Sequence, residues 1–523
     1  MGSMETTPGA RHLSRRSALA GLGAAVSGGL LAGAPVARAA ARDTQSVEAL
    51  IIGSGYAGSV AAHHLALAGI RAVVLERGRR WPITAEHNTF STLTAPDHRS
   101  SWMSTTLPVP KYAGVLETTQ ATGVTVATGA GVGGSSLVNH GLIMQPSGEL
   151  FQRSFGDTLD YDEMARLWYP AALRMLGATP IPDDVLADPH YSSAREFIKQ
   201  AQAAGLRTSR AAIQVDWNVV RDEIAGKVPA AAIAGESELG INSGAKLSVD
   251  RTILAAAERT GRISVRVLHQ VTDVSRAADG RYRVQCERID EFGTVVDRPV
   301  FLARYVFLAA GSMGTSKLLV RAKGRGTLPE LPDSTGRFWG DNADRLAIRV
   351  GMPGPPSTGG PAHIVATDWR DPAKAITLAE FPGGASPVPG EGVSGTFAMQ
   401  ITEPDGSFAY DSATDSAKLT YPNDDPGLDT VLGGVLDRLN AANPGTRTYN
   451  TTAAYTSHPL GGAVLGRTCD SDGTVFGHPN LFVVDSSLIP GSAGAVTPAL
   501  TVTALASRTV TRAIRTIQKQ SKN

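Results

Sequence analysis

Cysteine is nearly missing from this chain. Cys286 and Cys469 are the two in 523 residues, far apart and outside any Cys-x-x-Cys pair. Their separation leaves pairing open, but it excludes a disulfide framework and argues against a metal site. Net charge is nearly missing too, at a formal +1, so nothing points to nucleic acid or an anionic membrane surface as partner. Beyond the first forty residues no apolar run is long enough to span a bilayer, and no internal repeat is visible. What is present is ordinary for a globular protein, with 42% hydrophobic and 19% charged residues. The 57 glycines and 31 prolines imply many tight turns and long ordered loops. A chain of 523 residues exceeds one compact core, so two domains, intertwined in sequence, are expected.

The first forty residues do not read as fold. Met1-Gly-Ser-Met4 resembles an expression-vector remnant. Ser14-Arg15-Arg16-Ser17 then leads an uncharged Ala/Gly/Leu-rich stretch that ends at Ala37-Arg38-Ala39. Paired arginines before a weakly hydrophobic core and a small-residue exit predict a removed twin-arginine export leader, hence a secreted protein. That route carries folded proteins, often with cofactor loaded.

The mature chain is organised around residues 47–76. An apolar run at 49–52 predicts a buried strand, followed by Gly53-x-Gly55-x-x-Gly58 with Tyr56 and Ala57 inside it. An Ala-rich helical stretch (59–68) and a second apolar strand (72–75) come next, ending in Glu76. Gly53 permits a tight turn, Gly55 lets backbone N–H groups approach a pyrophosphate, and Gly58 lets the helix lie close on the strand. The helix N-terminus favours phosphate, and an acid about twenty residues on suits ribose hydroxyls. The pattern predicts a dinucleotide with an unphosphorylated ribose, FAD or NAD rather than NADP.

Residues 77–125 read as an irregular, lid-like connection. The run Gly129-Ala-Gly131-Val-Gly133-Gly134-Ser135-Ser136-Leu-Val-Asn139-His140-Gly141 predicts a second loop against the cofactor. Helices are expected over 161–176, 192–204 and 251–261, and strands over 265–271, 282–284, 295–301 and 305–309. Gly311-Ser-Met-Gly314 then turns into another helix, as a strand returning to the cofactor sheet would. Short alternating stretches at 375–380 and 395–401, within a Pro/Gly-rich region from 340 to 450, predict a separate antiparallel sheet. Helices at 429–441 and 500–517 and a short strand ending at Asp485 complete the reading.

Five separated blocks carry a resemblance: Gly53-x-Gly-x-x-Gly with Glu76, Gly131-Val-Gly-Gly-Ser-Ser-Leu-Val-Asn139, Ala310-Gly311-Ser312, His458-Pro-Leu-Gly-Gly, and Asp485-x-Ser-Leu-Ile-Pro-Gly. Together they resemble the glucose-methanol-choline (GMC) oxidoreductases, and within them the bacterial cholesterol oxidases with non-covalent FAD. The likeness runs from about Val47 to the end and includes Arg99-Ser-Ser-Trp, Tyr112-Ala-Gly-Val-Leu, Trp339-Gly and Tyr410-Asp-x-Ala-Thr-Asp. It implies an α/β fold: a Rossmann-like FAD domain (46–86, 243–338, 473–519) and a discontinuous α+β substrate domain (87–242, 339–472) containing the antiparallel sheet.

The same resemblance assigns roles. His458 would bind or deprotonate an alcohol. Glu380 would move a proton during double-bond isomerisation. Asp485 and Ser486 would lie by the flavin, Asn139 and the glycines before it on the ring system, and Val271 at the adenine. Gly311 and Pro498 fall in the matching cofactor blocks. Imidazole titrates near neutrality and suits a base for alcohol oxidation. A carboxylate buried in the apolar run before Glu380 would have a raised pKa. Three departures stand out. Thr497 occupies the position of an Asn, with a hydroxyl that lacks the amide's reach, and it reads equally as a residue at a helix start before Pro498. The segment between Trp102 and Tyr112 is shorter than a steroid lid. His140 replaces a Gly and could approach flavin or substrate. The expected function is a secreted, monomeric FAD oxidase converting a secondary alcohol (a sterol, or an alicyclic or polyketide alcohol) to a ketone with molecular oxygen. The alternative is an isomerase or proton-transfer enzyme on the same flavin fold, run by Glu380 and His458 without net oxidation.

Overall fold

The first strand, Thr44–Ile52, is exposed at alternate positions and then fully buried over its last four residues. That burial follows from its place: it runs parallel to Ala72–Leu75 on one side and Val300–Leu308 on the other. Central parallel strands are covered on both faces and therefore read as continuous apolar runs. Ile263–Arg266 adds outside Ala72–Leu75, and Leu481–Val483 pairs the end of Val300–Leu308. An antiparallel ribbon, His269–Arg276 with Tyr282–Ile289, joins the beginning of Val300–Leu308, and Val295–Asp297 completes an eight-stranded sheet. Helix Tyr56–Leu67 packs against Ile253–Glu258 and the C-terminal helix Ala499–Gln520, while Gly311–Arg325 packs on the ribbon. This computed structural model describes residues 44–352, 358–361, 364–382, 392–422, 426–451 and 454–520. The expected export leader lies outside them.

A second sheet has six antiparallel strands in the order Arg447–Asn450, Arg345–Met352, Gly392–Met399, Ile376–Pro382, Ile364–Asp368, Arg207–Arg210. Helices Ser192–Ala203 and Pro426–Ala442 pack with each other and with this sheet. Its strands come from residues 207–450, whereas the eight-stranded sheet draws on 44–75, 263–308 and 481–483. By packing, residues 43–523 form one unit. Both cysteines are buried and free. Among the described residues no helix is long and apolar enough to cross a membrane.

Four expectations need correction. The irregular stretch ends at Val115: Leu116–Ala121 and Val124–Gly129 form a hairpin, because alternating residues flank a turn with Gly123 at φ +86°. The strand expected over 265–271 is two strands, since Leu268 at φ +57° turns the chain from the parallel sheet into the ribbon. Helix 161–176 widens into a π-turn over Met164–Trp168 before resuming at Tyr169–Leu176. Pro170 has no N–H to give, so a change of hydrogen-bond register falls there. The first helix starts at Tyr56 rather than 59.

Candidate active site

The first crossover has the shape a dinucleotide needs. At Gly53, φ is +102° and an added Cβ would sit 2.3 Å from the Ala309 carbonyl oxygen; at Gly58 it would sit 2.0 Å from that of Gly53. Neither position admits a side chain. Helix Tyr56–Leu67 has no side-chain cap, and its first intrahelical bond is Ser59 N–H to Gly55. The N–H groups of Tyr56, Ala57 and Gly58 therefore have no protein partner among the described residues, as an anion-binding terminus requires. Glu76 is buried and accepts from Ser54 N (3.1 Å), Ser54 Oγ (2.6 Å) and Gly78 N (2.8 Å), with acceptor capacity remaining. Leu268 N–H bonds Gly78 and His269 N–H bonds Glu76. These bonds tie the strand bearing Val271 to the same acid. The residues present fit an adenine dinucleotide.

The second glycine loop closes on the first. Gly134, at φ +54°, approaches Gly55 so nearly that a Cβ would lie 2.8 Å from its Cα. A Cβ on Gly131 would lie 2.6 Å from Trp81 Nε1. Ser135 Oγ accepts from Gly129 N at 3.0 Å. Asn139 Nδ2 donates to the Tyr56 hydroxyl (2.7 Å), which donates to Gln214 Oε1 (2.5 Å). The buried Lys246 ammonium donates to the Asn139 carbonyl, and burial pushes that amine down to about 7 against the pull of Glu238. His140 Nε2 lies 3.0 Å from Glu238 Oε1. Burial would raise Glu238, but its hydrogen bonds, the one to His140 foremost, together outweigh it and hold that carboxyl at about 2.

Asp485 and Ser486 cap the second helix N-terminus. Gly311 N donates to Asp485 Oδ2 (2.9 Å), Thr315 Oγ1 bonds the same oxygen (2.5 Å), and Ser312 N donates to Ser486 Oγ (3.0 Å). Burial raises the Asp485 carboxyl, only partly countered by the bonds from Ser487 and Thr315.

His458 is fixed by an acid that the sequence reading missed. Its Nδ1 lies 3.0 Å from Asp344 Oδ1, and its N–H donates to Thr456 Oγ1 at 2.9 Å. Asp344 is fully buried and also accepts from Thr456 Oγ1 at 2.6 Å. With Nδ1 facing a carboxylate, the neutral ring carries its proton there and presents a lone pair at Nε2. Nε2 has no partner among the described residues. Phe397 meets the imidazole edge-on at 5.3 Å. Around it lies a polar frame. Tyr421 OH donates to Asp341 Oδ1 (2.8 Å), and Arg345 bonds Asp341 Oδ2 (3.1 Å) and the Asp344 carbonyl (2.8 Å). Burial, opposed by Arg345 and aided by Asp344, pushes Asp341 up to about 6. Asn342, at φ +59°, donates to the Val496 carbonyl and accepts from Ala493 N–H. The segment after Trp339-Gly thus brings His458 and the Thr497 loop together. Its acid-rich run Asp341-Asn-Ala-Asp344 was the available signal.

Glu380 stands apart from His458, and the Thr497 hydroxyl is committed to the backbone. Register pairs Ala379 with Phe397 and Glu380 with Thr396. Successive strand residues alternate faces, so Glu380 leaves the face opposite Phe397 and His458. There Ser193, from helix Ser192–Ala203, donates to Glu380 Oε1 at 2.6 Å, and Oε2 has no partner among the described residues. Burial pushes this carboxyl up to about 7, only partly countered by Ser193. The expected burial and raised pKa are therefore there, but the direction is not. Thr497 Oγ1 donates to the Leu142 carbonyl at 2.8 Å, so its one proton is committed to the backbone. Pro498 accepts from Val502 N–H at the start of the last helix. Among the described residues no cluster of His, Cys, Asp or Glu could hold a metal ion.

The chain is similar to known proteins along most of its length. Family profiles described as GMC oxidoreductase match residues 47–327 and 428–506. An uncharacterized GMC-type oxidoreductase of Mycobacterium tuberculosis is 30% identical over 296 residues, 54% of this chain and 40% of that protein. A cholesterol oxidase of the same organism is 24% identical over 88% of this chain and 90% of its own length. Among solved structures, pyridoxine 4-oxidase from Mesorbium loti superposes with TM-score 0.62 at 16% identity, covering 89% of this chain and 99% of its own.

Proposed function

The chain belongs to the GMC oxidoreductase family, and on that premise we propose that it is an FAD-dependent oxidase of a secondary alcohol, with a sterol or another alicyclic or polyketide alcohol as substrate and molecular oxygen as acceptor. The observation that carries this reading is the His458–Asp344 pair. It presents an unpartnered Nε2 as acceptor for a hydroxyl proton. The first crossover would hold the adenosine and pyrophosphate through the N–H groups of Tyr56, Ala57 and Gly58 and through Glu76, with Val271 at the adenine. The loop around Gly131, Gly134, Ser135 and Asn139, with Gly311, Asp485, Ser486 and Pro498, would hold the rest. When bound, the flavin supplies the hydride acceptor. Asp344 keeps the imidazole turned and stabilises the charge it gains as the hydroxyl proton arrives.

The relatives named cholesterol oxidase support a sterol-like framework; the short segment between Trp102 and Tyr112 favours a smaller body. An isomerase without net oxidation is less well supported, because Glu380 leaves the sheet on the helix side. We further propose twin-arginine export and a monomer.

The test is anaerobic addition of cholesterol, other secondary alcohols and ketosteroids to the purified protein. Bleaching near about 450 nm, the oxidised flavin band, supports the oxidase, while product formation without bleaching supports the isomerase. Thr497→Asn is expected to raise sterol oxidation if the missing amide limits it. Replacing Arg15 and Arg16 by lysine is expected to retain the protein inside the cell, as fractionation would show. Sizing chromatography tests the monomer.

A further inference from the structure

Two imidazoles, each held by a carboxylate, flank one apolar wall. Phe381 and Phe397 lie on the same face of the six-stranded sheet, on adjacent strands and diagonal to one another, a spacing of roughly 7–8 Å. The Phe381 ring lies over Gly395, where a Cβ would come within 2.1 Å of it. That leans it across toward the strand of Phe397. His458 meets Phe397 at 5.3 Å, and His140 meets Phe381 at 5.5 Å, both edge-on. The carboxylates are Asp344 at 3.0 Å from His458 and Glu238 at 3.0 Å from His140. One phenol senses both acids: burial first, then Asp344 and Glu238, pushes the Tyr455 hydroxyl up to about 12. Through Phe381 and Phe397, both pairs flank the same face of the six-stranded sheet. All four rings are partly exposed.

The tautomers follow from the partners. An ionised Glu238 accepts from Nε2 of His140, so the neutral ring presents a lone pair at Nδ1. That nitrogen has no partner among the described residues. It is the mirror of His458, whose free lone pair is at Nε2. Each imidazole is poised to accept from a hydroxyl. Thr497, the polar group expected beside His458, has its proton on Leu142.

Building on the oxidase reading, we propose that His140, oriented by Glu238, is a second substrate-binding residue that accepts a hydrogen bond from a second hydroxyl, and that the substrate is an alicyclic diol whose apolar body rests on Phe381 and Phe397. The hydroxyl to be oxidised goes to His458 and the remote one to His140.

The test compares a 3,17-dihydroxy steroid with its 17-deoxy counterpart on the flavin-loaded enzyme. Binding is read from the perturbed flavin absorption and turnover from anaerobic bleaching. The wild type is expected to bind the diol about tenfold more tightly, the worth of one hydrogen bond. His140→Ala is expected to lose that preference through a rise in Kd for the diol, with a much smaller change for the mono-ol. His140→Asn serves as second variant should the alanine protein fail to fold, and retained flavin absorption and melting temperature certify either. No diol preference in the wild type, or equal losses for both alcohols in the variant, overturns the assignment. A diol preference that depends on His140 without bleaching leaves this inference standing and removes the oxidase reading instead.

Discussion

On one face of the six-stranded sheet, Phe381 and Phe397 meet the edges of His140 and His458; on the other, Glu380, Arg349 and Ser394 lie toward helix Ser192–Ala203. The two faces invert the usual relation between polarity and partnership. On the histidine side each ring is partly exposed, with a carboxylate on one nitrogen and no partner among the described residues on the other. On the helix side the groups are fully buried yet poorly matched. Arg349 bonds Thr446 at 3.0 Å, but its Nε and Nη1 have no partner among the described residues, and neither do Ser394 Oγ, Thr448 Oγ1 and Glu380 Oε2. Burial pushes the Arg349 guanidinium down to about 10, with Glu196 opposing. Unmatched polarity under a helix costs stability; half-matched polarity facing a cleft is what binding and proton transfer need. One step along Ile376–Pro382 separates the two regimes.

The sharpest break is kinetic. His458→Ala is expected to slow anaerobic flavin reduction by roughly 10²–10⁴-fold, the usual span for a lost general base. Glu380→Gln is expected to cost less than tenfold in the same stopped-flow measurement. Equal losses would erase the distinction between the faces. The next effect belongs to the helix side and to stability. The folded Glu380 holds its proton up to about 7, whereas its ordinary value is 4.5. Between those pH values the unfolded chain has released a proton that the folded chain still binds, so stability falls as pH rises through the window. The fall is up to about 3 kcal/mol and levels off above it. Denaturation midpoints across pH 4–8 should show Glu380→Gln removing that slope; a slope unchanged in the variant would place its origin elsewhere.

On the histidine side, Asp344→Asn should keep the shape but lets an amide N–H face Nδ1, favouring the tautomer with its proton on Nε2. Flavin reduction is expected to fall about ten- to a hundredfold, with the flavin absorption retained. Thr497→Val removes one buried hydrogen bond to Leu142 and is expected to lower stability by about 1 kcal/mol. An added large loss of turnover would mean that the hydroxyl also meets substrate.

Much of the fold is written locally. Apolar runs bounded by Gly53 and Gly311 mark the parallel strands because both faces are covered, and glycine is demanded where Gly53 meets Ala309 and Gly58 meets Gly53. The blocks that carry the GMC likeness are short and local, so they are legible in the sequence alone. What was hidden is direction and partnership. Glu380 matched by residue type, but its direction depends on pairing with Thr396, a strand away. Asp344 is separated from His458 by 114 residues and Glu238 from His140 by 98; no local period reports such pairs. Leu268 turned a predicted strand because its left-handed backbone is unusual for leucine.

Asp485 holds the turn at Gly311 from 174 positions downstream, and the strand Leu481–Val483 seals the flank of Val300–Leu308. A nascent polypeptide on the ribosome therefore owns the first glycine turn, at Gly53, long before it owns the brace for the second, at Gly311. The start of helix Gly311–Arg325 is braced only once residue 485 has been translated.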